Sequence, residues 1–366
     1  MTSAAAPGRS VTARVPAKVN LELLVGPCRE DGYHDLSTVF QAVSVYDDVT
    51  VEPAEEWGIT VTGPYADLVP VDGTNLAMRA ARTLADAAGL DEPVHIAIHK
   101  EIPVAGGMAG GSADGAATLV ACDALWDLSS PRSVLDDLAA DLGADVPFGL
   151  HGGTAIGSGR GDQLAPVLGR GRYHWVFALS DVGLSTPAIY AECDRLRGSS
   201  PVPDPQPSAP MMTALRSGDA DALGRALTND LQEAALHLQP SLADVLTTGM
   251  ECGALGGVVS GSGPTVAFLV SDNESALDLA VALTASGVAS SVKRATGPVA
   301  GAHVLSAGAA LGAPSGSSRR GAHGDARPAG GRGASRRPGS GGSRSGGPGS
   351  GGPGRPPGPG EPFSPA

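Results

Sequence analysis

The sequence lacks several features that would assign whole classes of function. No stretch approaches the roughly 18 consecutive apolar residues that a membrane-spanning helix requires, so no membrane association is predicted. Residues 1–14 contain no apolar run resembling a secretory signal peptide. The cysteines are few and scattered, without a close pair that would indicate a metal knuckle: Cys28, Cys122, Cys193 and Cys252. We therefore expect reduced thiols and a cytoplasmic protein.

A basic excess is also missing. The chain carries a net charge of −13, and the segment 314–366 has eight arginines against only Asp325 and Glu361. That segment is therefore +6, which leaves −19 on the rest of the chain. Because nucleic-acid binding needs Lys and Arg to neutralise phosphates, no nucleic-acid partner is predicted for the folded part. A small phosphorylated ligand needs only a few local donors and is not excluded.

Large apolar residues are almost absent from the same C-terminal segment. From Pro314 to Ala366 the residues are nearly all Gly, Pro, Ser, Arg and Ala, and Phe363 is the only large apolar side chain. Such a composition cannot bury enough surface to offset the entropy of ordering the chain. We predict a disordered tail.

The remaining sequence alternates short strands with helical stretches. Alternating β-branched residues predict strands at 43–51, 94–98, 175–179, 265–270 and 291–294, the last at a sheet edge. Ala- and Leu-rich helical spacing predicts helices at 75–88, 112–126, 220–227, 229–238 and 275–285. A Pro-rich loop is expected at 199–210. This mixture predicts an α+β protein of two domains, with the boundary near residues 167–172.

The most informative segment is a glycine-rich loop that precedes a predicted helix. Residues 103–117 read PVAGGMAGGSADGAA and open the helix predicted from Ser112. The glycines permit positive φ angles, and the loop amides together with the unpaired donors of the helix N-terminus form an anion site. Ser112 can cap the helix or donate to a phosphate oxygen. The alternative is a flexible turn with an ordinary serine cap, since the loop matches neither the P-loop nor the dinucleotide-binding pattern.

Two further segments extend this pattern. Lys18 and Asn20, within VPAKVNL, lie two residues apart on the predicted first strand and so share one face. A second glycine-rich turn, 256–265, leads into an apolar strand. With these three motifs the sequence resembles the GHMP kinase superfamily, in which the middle motif, Pro-x-x-x-Gly-x-x-x-Gly-Ser, wraps the phosphates of ATP. The resemblance implies a two-domain α+β GHMP kinase fold, with an N-terminal domain at 11–168, a C-terminal domain at 169–305 and a disordered tail at 306–366.

Several shorter elements narrow the resemblance to one family. The sequences Gly-Tyr33-His34, Gly-Ala-Asp145-Val-Pro-Phe and Ser-Thr186-Pro-Ala-Ile-Tyr190 are similar to elements of the diphosphocytidyl-methylerythritol kinases. The similarity covers about residues 15–296. It implies a cytoplasmic enzyme that uses ATP to phosphorylate the 2-hydroxyl of 4-diphosphocytidyl-2-C-methyl-D-erythritol, in the non-mevalonate pathway to isoprenoid precursors.

The family resemblance also implies roles for single residues. Asp145 would accept or orient the hydroxyl proton, and Lys18 would keep Asp145 ionised and stabilise charge on the attacking oxygen. Asn20 would bind the methylerythritol chain. At the cytidine end, Tyr33 and Tyr190 would stack on the base and His34 would hydrogen-bond its amide edge. Thr186, in the same element as Tyr190, would also bind the substrate. The ATP site would comprise the middle motif: Pro103, Val104, Ala105, Gly106, Gly107, Met108, Ala109, Gly110, Gly111, Ser112 and Ala113.

The implied cofactors are ATP and Mg²⁺, and the implied partner is a small molecule with a cytidine diphosphate moiety. No acidic residue clearly matches a metal ligand of the family, which leaves Ser112 as the one candidate. The middle motif departs from the family at Ala105 and Ala109, where glycine is common, so these residues are expected to have negative φ or to be strained. A monomer or weak homodimer is expected.

Simpler interpretations remain at this point. Lys18 can be a strand-edge charge, Asp145 a turn former, Tyr33 a surface aromatic, His34 a loop histidine and Tyr190 a helix-start residue. The chain can also be another GHMP kinase, such as a homoserine kinase, or an inactive relative that binds a nucleotide. An RNA binder that acts through the basic tail is a third possibility.

Overall fold

The computed structural model describes residues 8–309, with side chains to residue 305. Residues 306–309 belong to the last strand, and the rest of the predicted tail lies outside the described residues. Within the described range no helix combines the length and the apolar character needed to cross a membrane.

The described chain forms twelve strands, ten α-helices and one 3₁₀ turn at Ala66–Leu68. The strands are β1 (Arg9–Cys28), β2 (His34–Pro53), β3 (Gly58–Thr62), β4 (Val94–His99), β5 (Thr154–Ser158), β6 (Gln163–Pro166), β7 (Tyr173–Leu179), β8 (Thr228–Asn229), β9 (Gly256–Val259), β10 (Val266–Val270), β11 (Ser291–Gly297) and β12 (His303–Ala309). The helices are α1 (Leu76–Ala88), α2 (Gly110–Leu125), α3 (Arg132–Leu142), α4 (Val146–His151), α5 (Thr186–Arg197), α6 (Ala209–Ser217), α7 (Ala220–Ala226), α8 (Gln232–Leu238), α9 (Ser241–Glu251) and α10 (Asn273–Ser286).

Two long antiparallel strands, β1 and β2, organise the larger sheet. Its main order is β12-β1-β2-β4-β3, and each long strand has a second partner at its other end, β8 beside β1 and β5 beside β2. Helix α2 packs on both long strands and on α1, and most of its residues are buried, chiefly Ala, Gly and Leu. This packing places the start of α2 beside the middle of β1, where Lys18 and Asn20 lie.

The smaller sheet is antiparallel, in the order β11-β7-β10-β9. Strand β10 is buried at every position, because β7 and β9 cover its edges and helices α9 and α10 contact it. The turn that joins β9 to β10 reaches the start of α2, as the next subsection describes.

The sequence-based elements compare well with this structure. The α+β class is confirmed, as are the five predicted helices and the five predicted strands, and β11 lies at a sheet edge. The ends shift by a few residues, except that the strand predicted at 43–51 is the longer β2, which begins at His34. Helices α3, α4, α5, α6 and α9 were not predicted, and the glycine turn at 256–265 begins with the short strand β9. The division between residues 168 and 169 stays a prediction.

Candidate active site

The loop between β4 and α2 has an unusual backbone. Ala105, Gly107 and Ala109 all have positive φ angles, of 55°, 72° and 58°. Such a conformation is accessible to glycine but costs an alanine about 1–2 kcal/mol. The two alanines are therefore strained, which is the second of the two outcomes expected from the sequence. At Gly107 the constraint is also steric, because a Cβ there would lie 1.9 Å from the carbonyl oxygen of Ser260.

Neighbouring elements hold this loop in place. The Ser260 hydroxyl donates to the Gly107 carbonyl at 2.9 Å, and the Lys18 amide donates to the Met108 carbonyl at 3.3 Å. The Asn229 amide group donates to the carbonyls of Val259 and Gly261, both at 2.7 Å, and so fixes the β9–β10 turn. Hydrogen bonds therefore connect the middle motif to each of the other two.

The N-terminus of α2 is open to ligands. The helix begins at Gly110, and no side chain caps it, because its N-cap residue is Ala109. Ser112 is the third helical residue, so its predicted role as the cap is wrong, although its predicted donation to phosphate is untouched. Uncapped amides and the helix dipole favour an anion at this position.

A cavity of about 460 Å³ lies in front of these amides. Its lining includes most of the residues that the sequence singled out: Lys18, Asn20, Ala105, Gly106, Gly107, Ala109, Gly110, Gly111, Ser112, Asp145, Thr186 and Tyr190. The lining does not include Pro103, Val104, Met108 or Ala113 of the middle motif. Asp145 is the only carboxylate in the described lining.

Lys18 is buried on a central strand, which rules out the strand-edge interpretation. Its ammonium group donates to Asn20 Oδ1 at 2.5 Å, Asn20 Nδ2 donates to Thr38 Oγ1 at 2.8 Å, and Thr38 donates to the Glu22 carbonyl. This chain of donors fixes the position of Lys18. Burial lowers the pKa of Lys18, and the nearby negative charge of Asp145 partly opposes that shift.

Asp145 stands immediately before the short helix α4. Its side chain makes no capping hydrogen bond to that helix, while Val146, Pro147 and Phe148 are buried and anchor the segment. The carboxylate therefore faces the cavity rather than the backbone. Its charge also reaches Tyr190, whose pKa is raised by burial and, to a smaller extent, by Asp145.

A second cavity, of about 610 Å³, adjoins the first and shares five lining residues with it: Leu36, Ala144, Arg160, Thr186 and Tyr190. Tyr33 lies in its lining with 57% of its surface exposed, and His34 is buried there with its ring centroid 5.3 Å from that of Tyr190. The Thr186 and Ser262 hydroxyls lie 2.8 Å apart, which ties this cavity to the β9–β10 turn.

Sequence reasoning missed three polar residues in these cavities. Thr38 orients Asn20, Arg160 lies 6.0 Å from the Tyr33 ring centroid, and the Asp194 carboxylate lies 2.9 Å from His34 Nε2. Each comes from a different element and belongs to none of the motifs. No local pattern announces them.

A buried ion cluster supports the loop from behind. The Lys100 ammonium donates to Asp47 at 2.6 Å, to Asp114 at 2.5 Å and to the Gly110 carbonyl at 2.9 Å. The other oxygen of Asp47 accepts from the amides of Glu101 and Ile102. Lys100 therefore joins the end of β4 to the first residue of α2. Burial raises the pKa of Asp114 well above its ordinary value despite the adjacent ammonium.

Comparison with known proteins gives a consistent result. The family model "GHMP kinases N terminal domain" matches residues 75–153, and "GHMP kinases C terminal" matches residues 211–289. A Kineococcus radiotolerans protein named 4-diphosphocytidyl-2-C-methyl-D-erythritol kinase is 59% identical over 278 residues, which is 75% of this chain and 86% of the relative. A Mycobacterium tuberculosis protein of the same name is 54% identical over 301 residues, 82% of this chain and 95% of the relative.

Solved structures agree with these matches. A crystal structure of 4-(cytidine 5'-diphospho)-2C-methyl-D-erythritol kinase superposes with a TM-score of 0.64 at 34% identity, covering 78% of this chain and 98% of that one. Homoserine kinase from Cytophaga hutchinsonii superposes with a TM-score of 0.62 at 18% identity, covering 81% and 97% of the two chains. At that identity the homoserine kinase match shows the fold alone.

Proposed function

The chain belongs to the 4-diphosphocytidyl-2-C-methyl-D-erythritol kinases of the GHMP superfamily, and from this premise we propose which side chains carry its reaction. The predicted family, fold class and kinase activity are thereby confirmed. The enzyme transfers a phosphoryl group from ATP to the 2-hydroxyl of its diphosphocytidyl substrate, a step toward isoprenoid precursors.

Two charged residues act on the reacting hydroxyl. Asp145 accepts its proton or orients it as the phosphoryl group arrives, and Lys18 stabilises the negative charge on the attacking oxygen. The observation that carries this assignment is that both side chains line one cavity together with the uncapped start of α2. Asn20 holds Lys18 and contacts the methylerythritol chain.

The glycine loop and the start of α2 bind the triphosphate of ATP. Two observations support this assignment to the triphosphate. The loop backbone at Gly107 lies so close to Ser260 that any side chain there would collide with it, and no side chain caps the start of α2. Mg²⁺, when bound with ATP, neutralises phosphate charge. The Ser112 hydroxyl and phosphate oxygens would hold it, because Mg²⁺ prefers oxygen ligands and keeps several waters. Positioning and charge neutralisation supply most of the acceleration.

The second cavity receives the cytidine end of the substrate. Tyr33 and Tyr190 offer flat rings to the base, and base–aromatic stacking is worth about 1–3 kcal/mol. His34 binds the edge of the base, and Thr186 lies at the junction with the first cavity. Because the two cavities share lining residues, we expect one substrate to reach from the base pocket to Asp145.

A kinase assay on the purified full chain tests the assignment. Asp145→Asn should lower turnover by about 10²–10⁴-fold with little change in ATP binding, because general-base catalysis contributes that much. Asp141→Asn, on the exposed face of α3, is the matched control and should retain full activity. Equal turnover of Asp145→Asn and the unsubstituted enzyme would remove the base from the mechanism.

The substrate is tested with a panel of alcohols. Phosphoryl transfer to 4-diphosphocytidyl-2-C-methyl-D-erythritol should exceed transfer to homoserine or mevalonate, whereas a preference for either of these would overturn the substrate assignment. Deleting residues 314–366 should leave the activity intact. Loss of all activity in that deletion would favour a function carried by the tail.

A further inference from the structure

Three side chains of metal-ligating types converge at the end of the β1–β2 ladder. Cys28 and His34 are cross-strand partners there, so their side chains project from neighbouring positions. Asp194, on α5, lies against them, with its carboxylate 2.9 Å from His34 Nε2. The thiol, imidazole and carboxylate ligand atoms all lie within 4.8 Å of one another.

The ligand types indicate which ion suits the cluster. A thiolate, an imidazole and a carboxylate form a set that suits Zn²⁺, whereas Mg²⁺ selects oxygen ligands, so this cluster is distinct from the proposed magnesium site. Zinc–ligand bonds of about 2.0–2.3 Å require ligand atoms roughly 3–4 Å apart. His34 and Asp194 already meet that spacing, and the exposed thiol of Cys28 lies within 4.8 Å of both.

The local charges also favour a cation. Among the described residues, the one ion-pair partner of Asp194 is His34. Two arginines lie nearby, and both are paired: Arg29 of the adjoining loop with Asp31 and Asp35, and Arg160, which lines the second cavity, with Asp162. The carboxylate of Asp194 and a deprotonated Cys28 would together balance a divalent charge.

We propose that Cys28, His34 and Asp194 bind Zn²⁺, or a divalent ion of similar chemistry, in an open three-ligand site at the edge of the second cavity. The bound ion inhibits the kinase by excluding the cytidine end of the substrate, because His34 and Asp194 both line that cavity. The binding part of the proposal stands independently, whereas the inhibition rests on the proposed function.

Cobalt binding tests the site without reference to activity. Co²⁺ added to the full chain should produce a thiolate-to-cobalt charge-transfer absorption that saturates at one equivalent. Cys28→Ser should abolish this band, whereas Cys252→Ser, which removes the other exposed cysteine, should keep it. Asp194→Asn should weaken the affinity by at least about ten-fold, since even outer-shell changes at metal sites cost 10–100-fold. A missing band, or an equal band in Cys28→Ser, would overturn the site.

Inhibition is measured separately. Zn²⁺ should inhibit the enzyme and Cys252→Ser equally, reversibly on chelation and in competition with the diphosphocytidyl substrate. Cys28→Ser, with normal basal activity, should need at least about ten-fold more Zn²⁺. Cobalt binding without zinc inhibition would refute the exclusion of substrate. Cobalt binding in a chain that does not phosphorylate the diphosphocytidyl substrate would instead refute the proposed function and leave the metal site standing.

Discussion

Replacing Lys100 by methionine tests how the glycine loop is held. Lys100 is 1% exposed and donates to two buried carboxylates, Asp47 and Asp114, as well as to the Gly110 carbonyl. Methionine keeps most of the volume but removes the charge and the donors. The two carboxylates are then left without their counterion, and breaking a buried pair in this way costs about 3–5 kcal/mol.

The magnitude translates into a measurable thermal shift. At roughly 2–3 °C per kcal/mol for a body of this size, the melting temperature should fall by roughly 6–15 °C. Lys293→Met is the matched control, because Lys293 pairs with Glu101 at 2.8 Å in a partly exposed bridge, with side chains 22% and 41% exposed. A bridge of that kind contributes about 0–1 kcal/mol, so the control should change little.

The same substitution should also weaken ATP binding, because Lys100 holds the first residue of α2 through the Gly110 carbonyl. The assays are a thermal scan of each purified variant and an ATP titration at a temperature where both variants are folded. If Lys100→Met and Lys293→Met have the same melting temperature, the ion cluster does not stabilise the fold. If it is destabilised but binds ATP normally, the cluster stabilises the fold without positioning the loop.

Three further predictions follow from the same geometry. The raised pKa of Asp114 makes the folded enzyme less stable as pH rises above the ordinary value of 3.8. The melting temperature of Asp114→Asn should therefore increase relative to that of the unsubstituted enzyme as the pH is raised from 3.8, and a difference that shrinks with pH would contradict this sign. Ala109→Gly should stabilise the enzyme by about 0.5 kcal/mol in thermal scans, because the relief of positive φ exceeds the larger backbone entropy that glycine loses on folding. The control, Ala243→Gly on the exposed face of α9, should destabilise the enzyme by about 1 kcal/mol. Tyr33→Ala should raise the KM for the diphosphocytidyl substrate with little change in kcat, and an unchanged KM would remove its stacking role.

The elements that were predicted from sequence carry strong local patterns. Strand β4 alternates, and α2 follows a glycine loop with a long Ala-rich run. Helix α5 was missed because its buried face is narrow, consisting of Ile189, Glu192 and Cys193 only. Helix α3, in contrast, carries a readable signal, since Leu135, Ala139 and Leu142 recur at helical spacing and are buried together.

The candidate site likewise contains residues that could be predicted from the sequence and residues that could not. The motif residues could be named from the sequence because they occur in short segments that resemble a family. Their partners could not, because Thr38, Arg160 and Asp194 approach the motifs only through tertiary pairing of distant segments. Lys100 is the clearest case. It follows an exposed histidine and precedes Glu101, so the local sequence favours a surface charge, and only the fold shows it buried between two carboxylates.

Burial also couples the two proposed catalytic residues. Desolvation lowers the pKa of Lys18, and the charge of Asp145 opposes that shift, so Asp145 helps to keep Lys18 charged. Removing Asp145 leaves the desolvation of Lys18 unopposed, which weakens the ammonium as a donor to the attacking oxygen. The two single substitutions therefore remove part of the same interaction. The logarithms of their activity losses will sum to more than the logarithm of the loss in the double variant. Burial therefore strengthens the effect of the Lys18 charge in the cavity, and it also makes the charged state of Lys18 depend on the Asp145 carboxylate.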